Sequence, residues 1–64
     1  MRIDRIKLIT EMARQDITAK DLSKKCGVSR ATISNVKNGK SCIDSVGNAI
    51  AKGLGVDVAD LLED

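Results

Sequence analysis

Proline, histidine and all three aromatic residues are missing from this sequence of 64 residues. Without histidine there is no imidazole for acid–base chemistry near neutral pH. Without aromatic rings there is nothing to stack on a base or a sugar, and any core must be aliphatic. There are only two cysteines, Cys26 and Cys42. They lack Cys-x-x-Cys spacing and a histidine to complete a zinc site, so reduced thiols at helix-packing positions in a cytoplasmic protein are expected. No apolar run approaches the ~20 residues that cross a bilayer, and the N-terminus carries no signal-peptide pattern. A chain this short has too little interior for a buried catalytic cleft in addition to a core. These absences predict one domain over residues 1–64 that binds rather than catalyses, with no metal, cofactor, small-molecule ligand or membrane contact.

Charge is unevenly placed. Residues 1–40 hold ten lysines and arginines against four acids, whereas residues 41–64 hold Lys52 against five acids. The basic part is the side expected to face a polyanion.

The most informative stretch is Thr18 to Gly39, TAKDLSKKCGVSRATISNVKNG. Thr18 with Asp21 forms a capping box, and Ser29 offers a hydroxyl to cap a second helix start eleven residues later. Gly27 lies between them, where the first of these helices must leave through a backbone of positive φ. The pattern predicts helix, sharp turn, helix. In the first, Ala19, Leu22, Ser23 and Cys26 share one face while Lys20, Lys24 and Lys25 face solvent. In the second, Arg30 to about Asn38, Thr32, Ile33 and Val36 cluster inward. Arg30, Ala31, Ser34, Asn35 and Asn38 cluster outward, with Lys37 at the margin. A merely solvated helix favours Glu and Lys. A face of Arg, Asn, Ser and Ala offers hydrogen-bonding groups mostly on short stems, which is the chemistry of major-groove reading.

The flanking segments read as further helices. From Ile3 to about Arg14, Ile6, Ile9, Met12 and Ala13 fall on one side, with Ile3 and Leu8 at its edges and Lys7, Glu11 and Arg14 opposite. Ile17 stands where an apolar residue staples the next helix. After Asn38-Gly39, Ser41 or Asp44 is expected to cap a fourth helix whose inward positions are Ile43, Val46, Gly47, Ile50 and Leu54. Gly47 implies close backbone packing, whereas Gly53 has no explanation at this level. Gly55 closes that helix, and Asp57 with Asp60 repeats the capping pattern for a short fifth helix carrying Leu61 and Leu62. The fold class expected is all-α, a compact five-helix domain.

The run LSKKCGVSRATISNVKNGK, followed at the right distance by IAKGLGV and then DLL, resembles the lambda-repressor-like (Cro/repressor type) helix-turn-helix DNA-binding family. The resemblance covers about Ile6 to Leu62. It implies that Arg30, Ala31, Ser34 and Asn35 face base edges, and that Ser29, at the recognition-helix N-cap, reaches a phosphate as well. It further implies phosphate contacts from Thr18, Ala19, Asn38, Lys40 and Ser41. Two departures stand out. Ala19 replaces the polar residue, often Gln, of many relatives and has only its backbone N–H to offer. Lys37 replaces a Glu that is often paired with an Arg of the first helix, where this chain has Met12 or Ala13. Lys37 is therefore expected to be free for the DNA backbone.

Together these readings predict sequence-specific binding to double-stranded DNA by a small transcriptional regulator of prokaryotic, phage or mobile-element type, with repression or activation left open. A homodimer through the C-terminal helices, with Val58, Leu61 and Leu62, is the expected assembly, the alternative being that these residues simply close the core. No ligand-sensing module is expected beyond this domain. The alternative on the same fold is a helical protein-interaction module, antitoxin-like or regulatory.

Overall fold

The computed structural model describes residues 1–64 and contains four α-helices: α1 (Arg5–Arg14), α2 (Ala19–Cys26), α3 (Arg30–Lys37) and α4 (Asp44–Leu54). Three of their starts are set by a side chain one residue outside the helix, which takes up first-turn N–H groups that have no partner within the helix. Asp4 Oδ1 accepts from Ile6 N–H at 2.8 Å and Lys7 N–H at 3.2 Å, and so starts α1 two residues later than Ile3. Thr18 Oγ1 accepts from Asp21 N–H at 3.1 Å, and Ser29 Oγ from Thr32 N–H at 3.2 Å, as the capping patterns predicted.

The fourth start differs from expectation. Neither Ser41 nor Asp44 caps α4, whose N-cap position is Ile43 with no side-chain bond. The reason lies in the first residue of the chain. Met1 and Cys42 exchange two bonds, Met1 N–H to Cys42 O at 2.9 Å and Cys42 N–H to Met1 O at 3.0 Å. That pairing holds the Ser41–Ile43 backbone extended. It also turns Ile43 outward, to 70% exposure, where an inward position was expected.

Two helix ends use the same geometry. At α4, Val56 N–H bonds Ala51 O and Gly55 N–H bonds Lys52 O, with Gly55 at φ 70°. At α1, Ile17 N–H bonds Met12 O and Asp16 N–H bonds Ala13 O, but the left-handed residue is Asp16, at φ 51°. A side chain there costs about 1 kcal/mol or more relative to glycine. Asp16→Gly is therefore expected to raise stability by about 0.5–1 kcal/mol, read as a shift in the urea midpoint.

The inward face of α1 is only partly the one predicted, with Met12 buried as expected but the edge residues Ile3 and Leu8 at its centre. Leu8 and Met12 are buried, with Ile3 just ahead of the helix, while Ile6 is 56% and Ile9 38% exposed and Ala13 is also exposed. The helix is rotated by roughly a quarter of a turn from expectation. The C-terminal tail explains it. Lys7 is half-buried, and its Nζ donates to Leu62 O at 2.9 Å and pairs with Asp64 at 3.0 Å. Its methylene stem lies inward while its ammonium reaches the tail.

The expected fifth helix is a single 3₁₀ turn, Val58–Asp60, started by Asp57 through Ala59 N–H at 3.0 Å, so the helix count is four and not five. An α-helix through Leu61 and Leu62 would turn their backbone groups inward along its own axis. They are needed elsewhere. Asp4 N–H bonds Leu61 O at 2.7 Å and Glu63 N–H bonds Arg2 O at 3.1 Å, around an antiparallel bridge between Ile3 and Leu62. The segment Met1–Ile3 thus lies between the α3–α4 loop and the C-terminal tail, binding both.

The core is wholly aliphatic apart from Met12: Ile3, Leu8, Met12, Leu22, Ile33, Val36, Ile50, Ala51, Leu54 and Leu61. The two glycines within α4 both mark close approach. A Cβ on Gly47 would run into the Met1 side chain. One on Gly53 would lie 2.9 Å from Cys26 Cβ and 3.1 Å from Leu22 Cδ1, so Gly53 is where α4 crosses α2. Both cysteines are free and half-buried. No helix is long and apolar enough to cross a membrane.

Candidate nucleic-acid interface

The turn between α2 and α3 needs one residue of positive φ, and Gly27 supplies it at 74°. Ser29 then starts α3, so that Ile33 and Val36 fall into the core and the opposite stripe faces out. Arg30, Ala31, Ser34 and Asn35 are all exposed, at helical spacings that put them on one face. Their polar side chains make no hydrogen bond within the chain, and Arg30 has no carboxylate within 4 Å. Their donors and acceptors are thus unsatisfied by the fold itself.

The three depressions in the molecule are lined by residues of α1, α2, α4, the α1–α2 turn, Gly55 and Asp60, and none by a residue of α3. The largest, about 750 Å³, opens between the C-terminal ends of α2 and α4 beside Gln15, Lys25, Cys26 and Lys52. With 8 residues, α3 is about 12 Å long, close to the ~12 Å width of a DNA major groove.

The residues predicted to meet phosphate divide into three groups. At the start of α2, the Asp21 carboxylate takes the Thr18 N–H at 3.5 Å, and the N–H groups of Ala19 and Lys20 have no partner. Free N–H groups at a helix N-terminus favour an anion. At the start of α3, Ser29 is less available than predicted: its hydroxyl donates to Thr32 Oγ1 at 2.8 Å while capping Thr32 N–H. A phosphate there would have to displace the Thr32 hydroxyl. In the loop after α3, Asn38, Lys40 and Ser41 are exposed. The Gly39 and Lys40 N–H groups turn back to Val36 O and Asn35 O, each at 3.0 Å. Of the N–H groups from Asn38 to Ser41 only that of Ser41 lacks a partner, which leaves it and the side chains to meet an anion. Lys37 is half-buried at its stem and has no carboxylate within 4 Å.

Ion pairing sharpens the charge asymmetry. Arg2 pairs with Glu63 at 3.0 Å, Lys7 with Asp64 at 3.0 Å and Arg14 with Glu11 at 3.2 Å. The unpaired cations of the first forty residues are therefore Arg5, Lys20, Lys24, Lys25, Arg30, Lys37 and Lys40, and all but Arg5 belong to α2, α3 or the loop after it. Exposed pairs of this kind contribute at most about 1 kcal/mol each. Their importance is in which charges they leave uncompensated. No group of three or more His, Cys, Asp or Glu side chains is placed to hold a metal ion.

The expected dimer residues sit differently. Leu61 is 1% exposed inside the chain's own core, and Val58 and Leu62 pack half-buried against it. Leu61 cannot serve a second copy without leaving that core.

No curated protein matches the sequence. A solved structure of a variant of hydroxyethylphosphonate dioxygenase superposes on the chain with a TM-score of 0.88 at 25% identity, covering 100% of this chain and 14% of that one. The chain thus corresponds to about one seventh of that protein's length. The sequence also matches the Cro/C1-type helix-turn-helix DNA-binding domain over residues 7–64, from within α1 through the C-terminal tail. That span takes in the capped pair α2–α3, its outward stripe and the helices that pack on it, and on this ground the chain belongs to the Cro/C1-type helix-turn-helix DNA-binding family.

Proposed function

We propose that the chain binds double-stranded DNA sequence-specifically and acts as a small transcriptional regulator of prokaryotic, phage or mobile-element type. In this reading α3 enters the major groove while the start of α2 and the loop after α3 hold the backbone on either side. The observation that carries it is the exposed stripe of Arg30, Ala31, Ser34 and Asn35, whose polar groups lack partners and line no depression. Arg30 suits bidentate contact with guanine, Asn35 contact with adenine, and Ala31 a thymine methyl. The proposal is of a binding domain and not an enzyme, since the sequence has no histidine and the stripe lines no cleft.

Selection from a random DNA pool is the direct test. Arg30→Ala or Asn35→Ala is expected to relax the preference at one base position by about 1–3 kcal/mol, leaving the other positions as they were. Variants with unchanged affinity and unchanged preference would refute the reading and transfer the stripe to a protein partner. Binding as a two-fold dimer on half-sites about 10 bp apart belongs to the same proposal. The dimer surface must be built without Leu61, given its burial. Two-fold symmetry in the selected sites is the expected result; a single unsymmetrical site would count against the dimer.

A further inference from the structure

The N-terminal segment brings two arginines to the loop that follows α3. Arg2 Nη2 donates to Gly39 O at 3.3 Å, and its Nε is paired with Glu63. Arg5 lies across the other side of the same residue: its Cδ is 3.7 Å from where a Cβ on Gly39 would be. Gly39 has φ 94°, a left-handed backbone that favours glycine, and Arg5 lies within ordinary van der Waals reach of it. Asn38 and Lys40, on either side, are both exposed.

The two arginines differ in what they have left to offer. Arg2 is engaged by a carboxylate and a carbonyl. Arg5 is exposed, with no carboxylate within 4 Å and no side-chain hydrogen bond. Each nearby acid is already occupied. Asp4 caps α1, Glu63 holds Arg2, and Asp44 lies 3.8 Å from the Met1 ammonium. The Gly39 and Lys40 N–H groups are turned into α3, so an anion beside Gly39 must be bound by side chains or by the unpaired Ser41 N–H.

We propose that Arg5 is a DNA-phosphate ligand, forming with Asn38 and Lys40 a backbone clamp at the C-terminal end of α3 that spans two distant parts of the chain. The inference rests on the DNA-binding reading above and adds to it a residue outside the helix-turn-helix. A guanidinium suits the role because its fork of donors matches phosphate oxygens.

The test measures affinity for a short mixed-sequence duplex over a range of salt concentrations, using the full chain. Each neutralised phosphate contributes about 0.9 to the slope of log affinity against log salt, equivalent to about eightfold in affinity near 0.1 M salt. Arg5→Gln is expected to lower the slope by about 1 and the affinity about five- to tenfold, with base preference in the selected pool unchanged. Arg5→Lys should restore most of the slope. Lys52→Gln removes the same charge from α4, outside the elements proposed to hold DNA, and should change affinity less than about twofold. Circular dichroism confirms that each variant is folded. An Arg5→Gln slope equal to wild type, or a loss no larger than that of Lys52→Gln, overturns the proposal while leaving DNA reading by Arg30 and Asn35 intact. A wild-type chain that binds no duplex at all overturns both.

Discussion

Leu61→Ala is expected to lower stability by about 2–5 kcal/mol, and to do so equally at every protein concentration. The side chain is 1% exposed and belongs to the same cluster as Leu8, Met12 and Ile33, so truncation leaves a cavity as well as losing transfer energy. A domain of 64 residues has roughly 3–10 kcal/mol in total, at about 0.05–0.15 kcal/mol per residue. The variant should therefore lose a large share of its stability, and at the lower end of that range it would be unfolded. With no tryptophan or tyrosine to fluoresce, far-UV circular dichroism against urea is the measurement. The sequence alone left Leu61 open to a dimer contact or to closing the core. If a dimer contact were its role, the truncated monomer would keep its stability and the wild-type midpoint would rise with concentration.

Gly53→Ala should cost about 1–3 kcal/mol even though alanine is the better helix former by about 1 kcal/mol. The added methyl would lie 2.9 Å from Cys26 Cβ and 3.5 Å from Cys26 Cα, atoms of a packed helix that can give way only if α2 moves off α4. Leu22, on the same face of α2, is fully buried and cannot make room. Gly47→Ala is the control. It too gains helix propensity, and the obstacle is the side chain of Met1, three rotatable bonds long and at the end of the chain. Its loss should be clearly smaller than that at Gly53. An equal loss at both positions, or a gain at Gly53, would contradict the close crossing of α2 and α4.

Features decided within about four residues were legible before any fold was considered. The Thr18–Asp21 box, the Ser29 cap and the positive φ of Gly27 each depend on bonds between near neighbours, and each occurs as expected. The outward stripe of α3 was equally legible, because Ile33 and Val36 leave that helix only one apolar side. In α1 the same reasoning chose the buried face only in part. Ile6, Ile9 and Ala13 make one apolar row and Leu8 with Met12 another, so periodicity could not choose between them. The choice was made by the C-terminal tail, which draws in the Lys7 side. The Asp4 cap was present as a signal, an Asp directly before an apolar periodic run, but reading the helix from Ile3 passed over it.

Charge follows the same division. Summed along the chain, the first forty residues read as uniformly basic. In three dimensions Glu63 and Asp64 return to Arg2 and Lys7, leaving Arg5 beside the loop after α3 with no partner. No pattern in the sequence connects position 5 with position 39. By itself, then, the sequence determined the helix-turn-helix and the face it presents, since caps, turn and amphipathic period are local interactions. Only the tertiary structure decided which face of α1 is buried, that Leu61 closes the core, why Gly53 must lack a side chain, and where Arg2 and Arg5 lie. Each of those depends on contacts between segments distant in the chain, whose energies no local pattern encodes.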